Sequence, residues 1–474
     1  MLLAAAAAVP PVAVAARFSD SHANDQTGAW SAPFNLGGVA IHATLLHNDD
    51  VLFFQDVEGA AGFDRTSYVA TWNWRTGAIR EAQFSDPRDV FCAAHNVLPD
   101  GRLFIAGGHD PYTGKKQDPI GVAETDIYDP VARTWTRTAP LGQKRWYPTN
   151  VGLANGRVLI FGGIASPGVP SRTVDEYNPF TNTMRRLPTS ADKSVGQYPR
   201  MHLMANGRVL MGGPARTTEA FDPATNRWSA VSSMLYGKRS HGAVALLSGS
   251  QQLLTAGGGS PTRTAEILVI SQATPRWRST GSLSFARMLA NTVVLPDGQV
   301  LIVGGGAAFK YTSPVKVPEL YNPSTQTWTP MARQQASRMY HATALLLPDG
   351  RVLSAGQDSG GLARYGEIFS PPYLFRGSRP TISSSPATVS TGGQLQFTSP
   401  EAAHITRVVL IRGASNTHEI DSDQRSVPLS FSVAGTTITA QVPTSANQVP
   451  LGYYMLFAVN GSGVPSVAPW IRVL

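Results

Sequence analysis

The 474-residue chain has a single cysteine, Cys92, so no disulfide can close within it. Charged residues are also scarce, at 15% of the chain. The net charge of +8 comes from Lys and Arg scattered singly, with no basic run of the kind that tracks a nucleic-acid backbone, and no nucleic-acid partner is expected. No stretch reaches the roughly 18 consecutive apolar residues of a membrane helix, so no membrane span is expected. The apolar, alanine-rich start is too short to be one. Ala13-Val14-Ala15 fits a small-residue cleavage site, and residues 1–16 read as a possible signal peptide or its remnant, although a basic leading region is missing and Pro10-Pro11 interrupts the run. This implies a secreted or extracytoplasmic protein. A lone thiol in such a chain is either a small buried hydrophobe or a group with a task.

What is abundant is glycine (45) and proline (35), alongside 42% hydrophobic residues, which points to many short strands and tight turns. Those strands repeat. Leu103-Phe104-Ile105 leads to Gly107-Gly108, Val158-Leu159-Ile160 to Gly162-Gly163, and Val209-Leu210-Met211 to Gly212-Gly213. Further copies end at Gly257-Gly258, Gly304-Gly305 and Ala355-Gly356, and the second glycines are spaced by 55, 50, 45, 47 and 51 residues. A degenerate copy lies upstream, at Ile41–Phe54. Downstream of most copies comes an aromatic, an Asx-Pro turn and a tryptophan, as in Tyr128-Asp129-Pro130 with Trp135. This pattern resembles the kelch repeat. Seven copies imply a seven-bladed β-propeller over residues 31–375. After Arg379-Pro380 the period is lost, and short alternating strands read as an immunoglobulin-like β-sandwich over 380–474. The expected fold is all-β.

In a propeller, equivalent positions on successive blades form a ring around the channel. Counting about sixteen places back from each second glycine gives Ile41, Cys92, Tyr147, Gln197, Ser240, Leu289 and Tyr340, followed at the next position by His42, His241 and His341. Phenols and imidazoles suit copper or iron, whereas the carboxylate cage of a magnesium or calcium site is absent. A lone copper changes by one electron, while oxidising an alcohol removes two. A tyrosine can store the second, and a thioether bond from a cysteine sulfur would make its ring easier to oxidise.

The motifs Phe91-Cys92, Arg145-Trp146-Tyr147, Tyr340-His341 with Pro348-Asp349-Gly350-Arg351, Thr417-His418 and Asp423-Gln424-Arg425 resemble those of the copper radical oxidases, the galactose oxidase and glyoxal oxidase group. The likeness runs from about Trp30 to the tail Gly463–Ala468. It implies one copper ion held by Tyr147, Tyr340, His341 and His418, with Cys92 and Tyr147 joined as a thioether tyrosyl radical cofactor. Tyr340 would be the axial ligand and general base. The reaction implied is oxidation of a primary alcohol or aldehyde by dioxygen to an aldehyde or acid plus hydrogen peroxide, in a monomer. For His418 to serve, the Gly413–His418 loop of the second domain must reach into the channel. His42 and His241 are stand-ins on position alone, and His95, His109 and His202 read as structural.

Two matches are imperfect. The ring that stacks over the cross-linked tyrosine in galactose oxidase falls near Ala165 here, leaving Trp146 as a candidate replacement. Arg200 falls near the family's substrate-binding arginine, but a propeller-rim ion pair is the other reading. Substrate choice would lie in loops such as Asp110–Ile120, Ser166–Ser171 and Ala307–Val317, whose composition selects no substrate. The competing function is a noncatalytic propeller that binds glycan or protein at its mouth.

Overall fold

The structure, a computed structural model, describes residues 21–56, 66–84, 87–110, 120–357 and 359–474. The expected signal segment at 1–16 and most of the 110–120 loop lie outside these. Among the described residues, helix is confined to Ser21–Thr27 and four short 3-10 turns. The fold is a seven-bladed β-propeller followed by a C-terminal, immunoglobulin-like β-domain, and among the described residues no helix is long and apolar enough to cross a membrane.

Each blade is built on four antiparallel strands. Blade 1 starts with His42–Leu45 nearest the channel, blade 2 with Ala94–Val97, blade 3 with Thr149–Gly152, and blade 4 with Met201–Leu203. Blades 5, 6 and 7 start with Ala243–Leu246, Met288–Val294 and Ala342–Leu346. The apolar runs of the repeat are the second strands, among them Leu103–Ala106, Val158–Phe161, Val209–Met211 and Val352–Gly356, which are buried throughout and so legible, whereas the inner strands mix apolar residues with buried polar ones.

The tryptophans tie blade to blade. Each lies on the outermost strand opposite an aromatic of the third strand: Trp135 opposite Tyr128, Trp228 opposite Phe221, Trp328 opposite Tyr321. Each indole N–H then donates to a carbonyl on the preceding blade's exit, Ala82 (2.6 Å), Ala191 (2.9 Å) and Gly281 (2.8 Å) respectively. Blade 7 draws its outermost strand from the other end of the chain. Ala29–Trp30 pairs with Phe369–Ser370, and the Trp30 indole donates to Ala332 at the exit of blade 6 (2.7 Å). The ring is thus closed by a strand that lies just outside the expected 31–375 span.

Four blades carry a buried arginine where the inner strand begins. Arg145, Arg239, Arg287 and Arg338 each donate to the carbonyl of the first hairpin glycine (Gly162, Gly257, Gly304, Gly356) at 2.6–2.9 Å. Each also pairs with an acid of the third strand, as Arg287 does with Glu319 at 2.7 Å, both side chains being 0% exposed. This corrects the last repeat: its hairpin pair is Gly356-Gln357, not Ala355-Gly356. Gln357 holds the positive φ (72°) that the second glycine holds elsewhere, as in Gly163 (84°), where a Cβ would sit 2.6 Å from the Trp146 carbonyl.

Next comes a residue in the left-handed region: Cys92 (φ 58°), Tyr147 (62°), Tyr198 (42°), His241 (54°), Leu289 (64°) and His341 (65°). Their main chains link neighbouring blades. Tyr147 N–H donates to Cys92 O (2.9 Å), Tyr198 N–H to Tyr147 O (2.8 Å), and Leu289 N–H to His241 O (2.9 Å). The ring read from the sequence was therefore one residue out at blades 4, 5 and 7, where Tyr198, His241 and His341 replace Gln197, Ser240 and Tyr340. Blade 7 has three steps from Arg338 to His341, where blade 3 has two from Arg145 to Tyr147. Counting forward from the arginine, Tyr340 matches Tyr147; counting back from the residue opposite the first hairpin glycine, which in blade 7 is Ala342 opposite Gly356, His341 does. The extra residue lets one blade present both side chains.

In the C-terminal domain a seven-stranded path is completed by Arg425–Ala434, whose first half pairs with Ile405–Arg412 and second half with Thr437–Gln441. A buried arginine stripped of its acid partner, or the reverse, leaves an uncompensated charge. Arg287→Ala should therefore lower the unfolding free energy by about 3–5 kcal/mol in urea titrations, with little change expected on substituting an exposed arginine such as Arg278.

Candidate metal and radical centre

His418 comes to the channel on a hairpin. Ser415–Thr417 of the C-terminal domain adds as an extra strand to the inner edge of blade 1, pairing His42 with Thr417 and Thr44 with Ser415. The turn is His418-Glu419, between the paired residues Thr417 and Ile420, with both central residues at positive φ (46° and 64°). Two-residue turns of this kind normally use Asn-Gly, so a His-Glu turn stores backbone strain at the point where its side chains are needed.

The residues after the turn anchor it. Asp423 accepts from Val97 N–H of blade 2 (2.7 Å) and from Ser415 Oγ (2.6 Å). Gln424 accepts from Val294 N–H of blade 6 (2.8 Å), and Arg425 donates to Leu203 O of blade 4 (2.8 Å). The Asp-Gln-Arg motif is thus a clamp that caps the ends of the inner strands of three blades.

At the channel mouth five side chains meet. Tyr147 Oη and Tyr340 Oη are 2.8 Å apart. Cys92 Sγ is 3.7 Å from His418 Nε2, and the donor atoms of Cys92, His341 and His418 all lie within 4.8 Å of one another. The His341 and His418 rings meet edge to face with centroids 4.5 Å apart. The Tyr340 ring stacks on that of His341 at 3.9 Å. Thr417 settles the tautomer of His418: its hydroxyl donates to Ile41 O (3.0 Å), so it accepts from His418 Nδ1–H at 2.6 Å, leaving Nε2 a bare lone pair facing the thiol.

Burial sets the protonation states. It pushes the Tyr147 phenol well above its usual range, helped by Cys92 and Tyr340, and it pushes Tyr340 up as well. It drives His418 well below the ordinary imidazole value, with His341 and His42 adding to the effect. Without a cation, the mouth therefore holds neutral phenols, which would give up their protons most readily to a metal, and a neutral His418, whose lone pair a metal can take.

The remaining expectations divide. His42 does not join the donors, because its Nε2 accepts the backbone N–H of Cys92 (3.1 Å). His241 stands in the cleft wall with Nδ1 3.5 Å from Glu419. His95 accepts a structural role beside Thr44 Oγ1 (3.0 Å), and His109 pairs with Asp89 (3.0 Å); burial lowers the His109 pKa, but Asp89 together with Asp56 and Asp110 leaves it raised. Trp146 does cover Tyr147, with centroids 4.0 Å apart and planes 32° from parallel, while Ala165 offers no ring. Arg200 is 5% exposed and engaged: it donates to Gly242 O (3.0 Å) and pairs with Glu419 at 3.3 Å. It lines the cleft as an ion pair, so a substrate would meet Arg200 and Glu419 together.

That cleft, of about 230 Å³, opens beside Tyr147, Tyr340 and His418, with Gln197, Lys238 and His241 on its walls. Phe309 adds an exposed ring 5.8 Å from that of Tyr340. Sequence reasoning missed Tyr198, whose ring lies 4.7 Å from Tyr147 and 4.8 Å from His418. It also missed Glu419, the partner of Arg200. Tyr198 stood one place from the ring position given to Gln197, and it lies three residues before Met201–Leu203 where Tyr147 lies two before Thr149–Gly152, so a fixed count from either end misses it. Glu419 carries no such signal.

The family model for the galactose oxidase-like early set domain matches residues 379–473, and that for the glyoxal oxidase N-terminus matches residues 254–371. A galactose oxidase of Gibberella zeae is 30% identical over 457 residues, covering 85% of this chain and 64% of that protein, so the chain spans less than two thirds of that relative's length. Aldehyde oxidase GLOX1 of Arabidopsis thaliana is 30% identical over 491 residues, covering 94% of this chain and 72% of the relative. A solved structure described as a novel fungal alcohol oxidase with catalytic diversity among the AA5 family, in complex with copper, superposes with a TM-score of 0.83 at 25% identity, over 94% of this chain and 100% of the other.

Two outcomes are expected. Asparagine tolerates the left-handed region, so His418→Asn should keep the fold while copper affinity, measured by competition titration, falls by more than about 100-fold. His202 is half-buried beside Arg425 and Arg200, and its pKa is lowered to about 3, chiefly by lost solvation. The unfolded chain binds a proton there from about pH 6.5 downward, so this contribution is whole above that pH and is lost as the pH falls toward 3. In urea unfolding of copper-free protein between pH 6 and 4, His202→Gln should flatten the pH slope of stability by about 1.4 kcal/mol per unit.

Proposed function

The chain belongs to the galactose oxidase and glyoxal oxidase family of copper radical oxidases, and from that premise we propose that it oxidises a primary alcohol or aldehyde with dioxygen, giving an aldehyde or acid and hydrogen peroxide. The observation that carries this reading is the meeting of two phenols 2.8 Å apart with a thiol and two imidazoles whose donor atoms fall within 4.8 Å. That donor set fits copper: imidazole nitrogens and phenols that can become phenolates, with no carboxylate among them. Tyr147, Tyr340, His341 and His418 would hold the ion. When bound, copper supplies a Lewis acid and a one-electron acceptor.

The chain's own groups do the rest. Tyr340 Oη takes the proton of the substrate hydroxyl, and a strongly basic phenolate suits that task because burial favours its protonated form. Tyr147, joined through its ring to Cys92 Sγ, takes a hydrogen atom from the substrate carbon at Oη and so accounts for the second electron. Trp146 and Tyr198 pack against the Tyr147 ring, limiting water at the site of the radical. Substrate enters by the cleft between Tyr340 and the Arg200–Glu419 pair. All donors come from one chain, so a monomer suffices. A kelch-type propeller in an extracytoplasmic setting fits a chain whose only thiol is consumed in the cofactor.

The test is the intact mass of copper-loaded, aerated protein beside Cys92→Ser. The wild type should lose about two hydrogens, show no titratable thiol and yield a linked Cys92–Tyr147 peptide; peroxide release would then be screened across alcohols and aldehydes. A free thiol and unlinked peptides after copper and air would leave a binding propeller instead.

A further inference from the structure

The belt of main-chain hydrogen bonds around the channel has a gap at blade 1. Tyr147, Tyr198 and Leu289 each donate N–H to the left-handed residue of the preceding blade. Cys92 has no such neighbour, because blade 1 carries no left-handed residue at this place: its inner edge is occupied by the Ser415–Thr417 strand, and Thr417 Oγ1 holds the Ile41 carbonyl. The Cys92 N–H is instead taken by a side chain, His42 Nε2, at 3.1 Å. His42 is itself held rigidly. It is 0% exposed, its ring stacks on Phe54 at 4.2 Å with planes 8° apart, and its edge lies near His95 and His418.

We propose that His42 is a positioning residue for cofactor formation: by accepting the Cys92 N–H it holds that residue's left-handed backbone, and with it the thiol, in place for joining to Tyr147. This rests on the oxidase reading above. A cysteine at φ 58° is sterically disfavoured, and its buried N–H would be orphaned without an acceptor. Without that bond the backbone relaxes toward ordinary φ, and Sγ swings away from the ring it must reach. The bond-forming step itself replaces the thiol S–H and one ring C–H by a C–S bond. It releases two protons and two electrons, which dioxygen accepts as hydrogen peroxide in the presence of copper. His42 gains and loses nothing in that balance and acts only through Cys92.

The experiment follows intact mass over time in copper-depleted, full-length protein given copper and air, for the wild type, His42→Gln and His42→Asn. Glutamine can place an acceptor near the position of Nε2, whereas asparagine is too short to reach. His42→Gln should cross-link within about threefold of the wild-type rate, and His42→Asn at least about tenfold more slowly, the loss expected for one buried hydrogen bond acting in the rate-limiting geometry. Copper content per chain and melting temperature are read in parallel, so that slow cross-linking with full copper separates positioning from binding. Equal rates in all three proteins would overturn the proposal, as would a glutamine variant as slow as asparagine. If His42→Asn does not fold, the glutamine rate alone decides: a loss beyond tenfold overturns it. A wild type that never cross-links would instead overturn the oxidase reading.

Discussion

The belt of left-handed residues at the channel mouth is the constraint on which the site depends. Each of Cys92, Tyr147, Tyr198, His241, Leu289 and His341 turns the chain sharply as it begins an inner strand. The unfavourable backbone angle is tolerated because neighbouring blades exchange main-chain hydrogen bonds across it and because the buried arginines below lock the hairpins. The consequence is chemical. A residue in that conformation aims its side chain over the channel rather than along the strand, so whatever type occupies the position faces the axis. Where the type is leucine the position is only core; where it is a thiol, a phenol or an imidazole, the same geometry gathers a site.

The C-terminal domain depends on the same belt. Its hairpin enters beside blade 1, and the clamp of Asp423, Gln424 and Arg425 reads the free ends of inner strands on blades 2, 6 and 4. Those ends are main-chain groups that would otherwise be buried without partners. Holding them also fixes where the strained His418-Glu419 turn sits, so the stability of the domain interface and the position of one donor are set by the same contacts. Glu419, on the same turn, meets Arg200 on the cleft side.

Much of this was legible in the sequence, for identifiable reasons. The blades announce themselves because diglycine hairpins and buried apolar strands recur near every fifty residues, and both are local signals. The register failed where a local signal was replaced. Gln357 holds a glycine's conformation without being glycine, and blade 7 carries one residue more between Arg338 and the residue opposite the first hairpin glycine, so counting from glycines put Tyr340 where His341 belongs. Cys92, Tyr147, Tyr340, His341 and His418 were nevertheless found together, because the motif resemblance does not depend on that count. The closure by Trp30 and the roles of Glu419 and His42 depend on contacts between residues hundreds of positions apart, and no periodicity carries these.

The hairpin also imposes an order in time. A chain made from its N-terminus has Cys92, Tyr147, Tyr340 and His341 in hand while His418 is still to be synthesised, and the strand that delivers His418 pairs with blade 1 only once Ser415–Thr417 exists. The propeller alone therefore brings a thiol, two phenols and one imidazole to the mouth, without the second imidazole of the set. The donor set is whole only once the second domain has docked, because its last member arrives on that domain's hairpin.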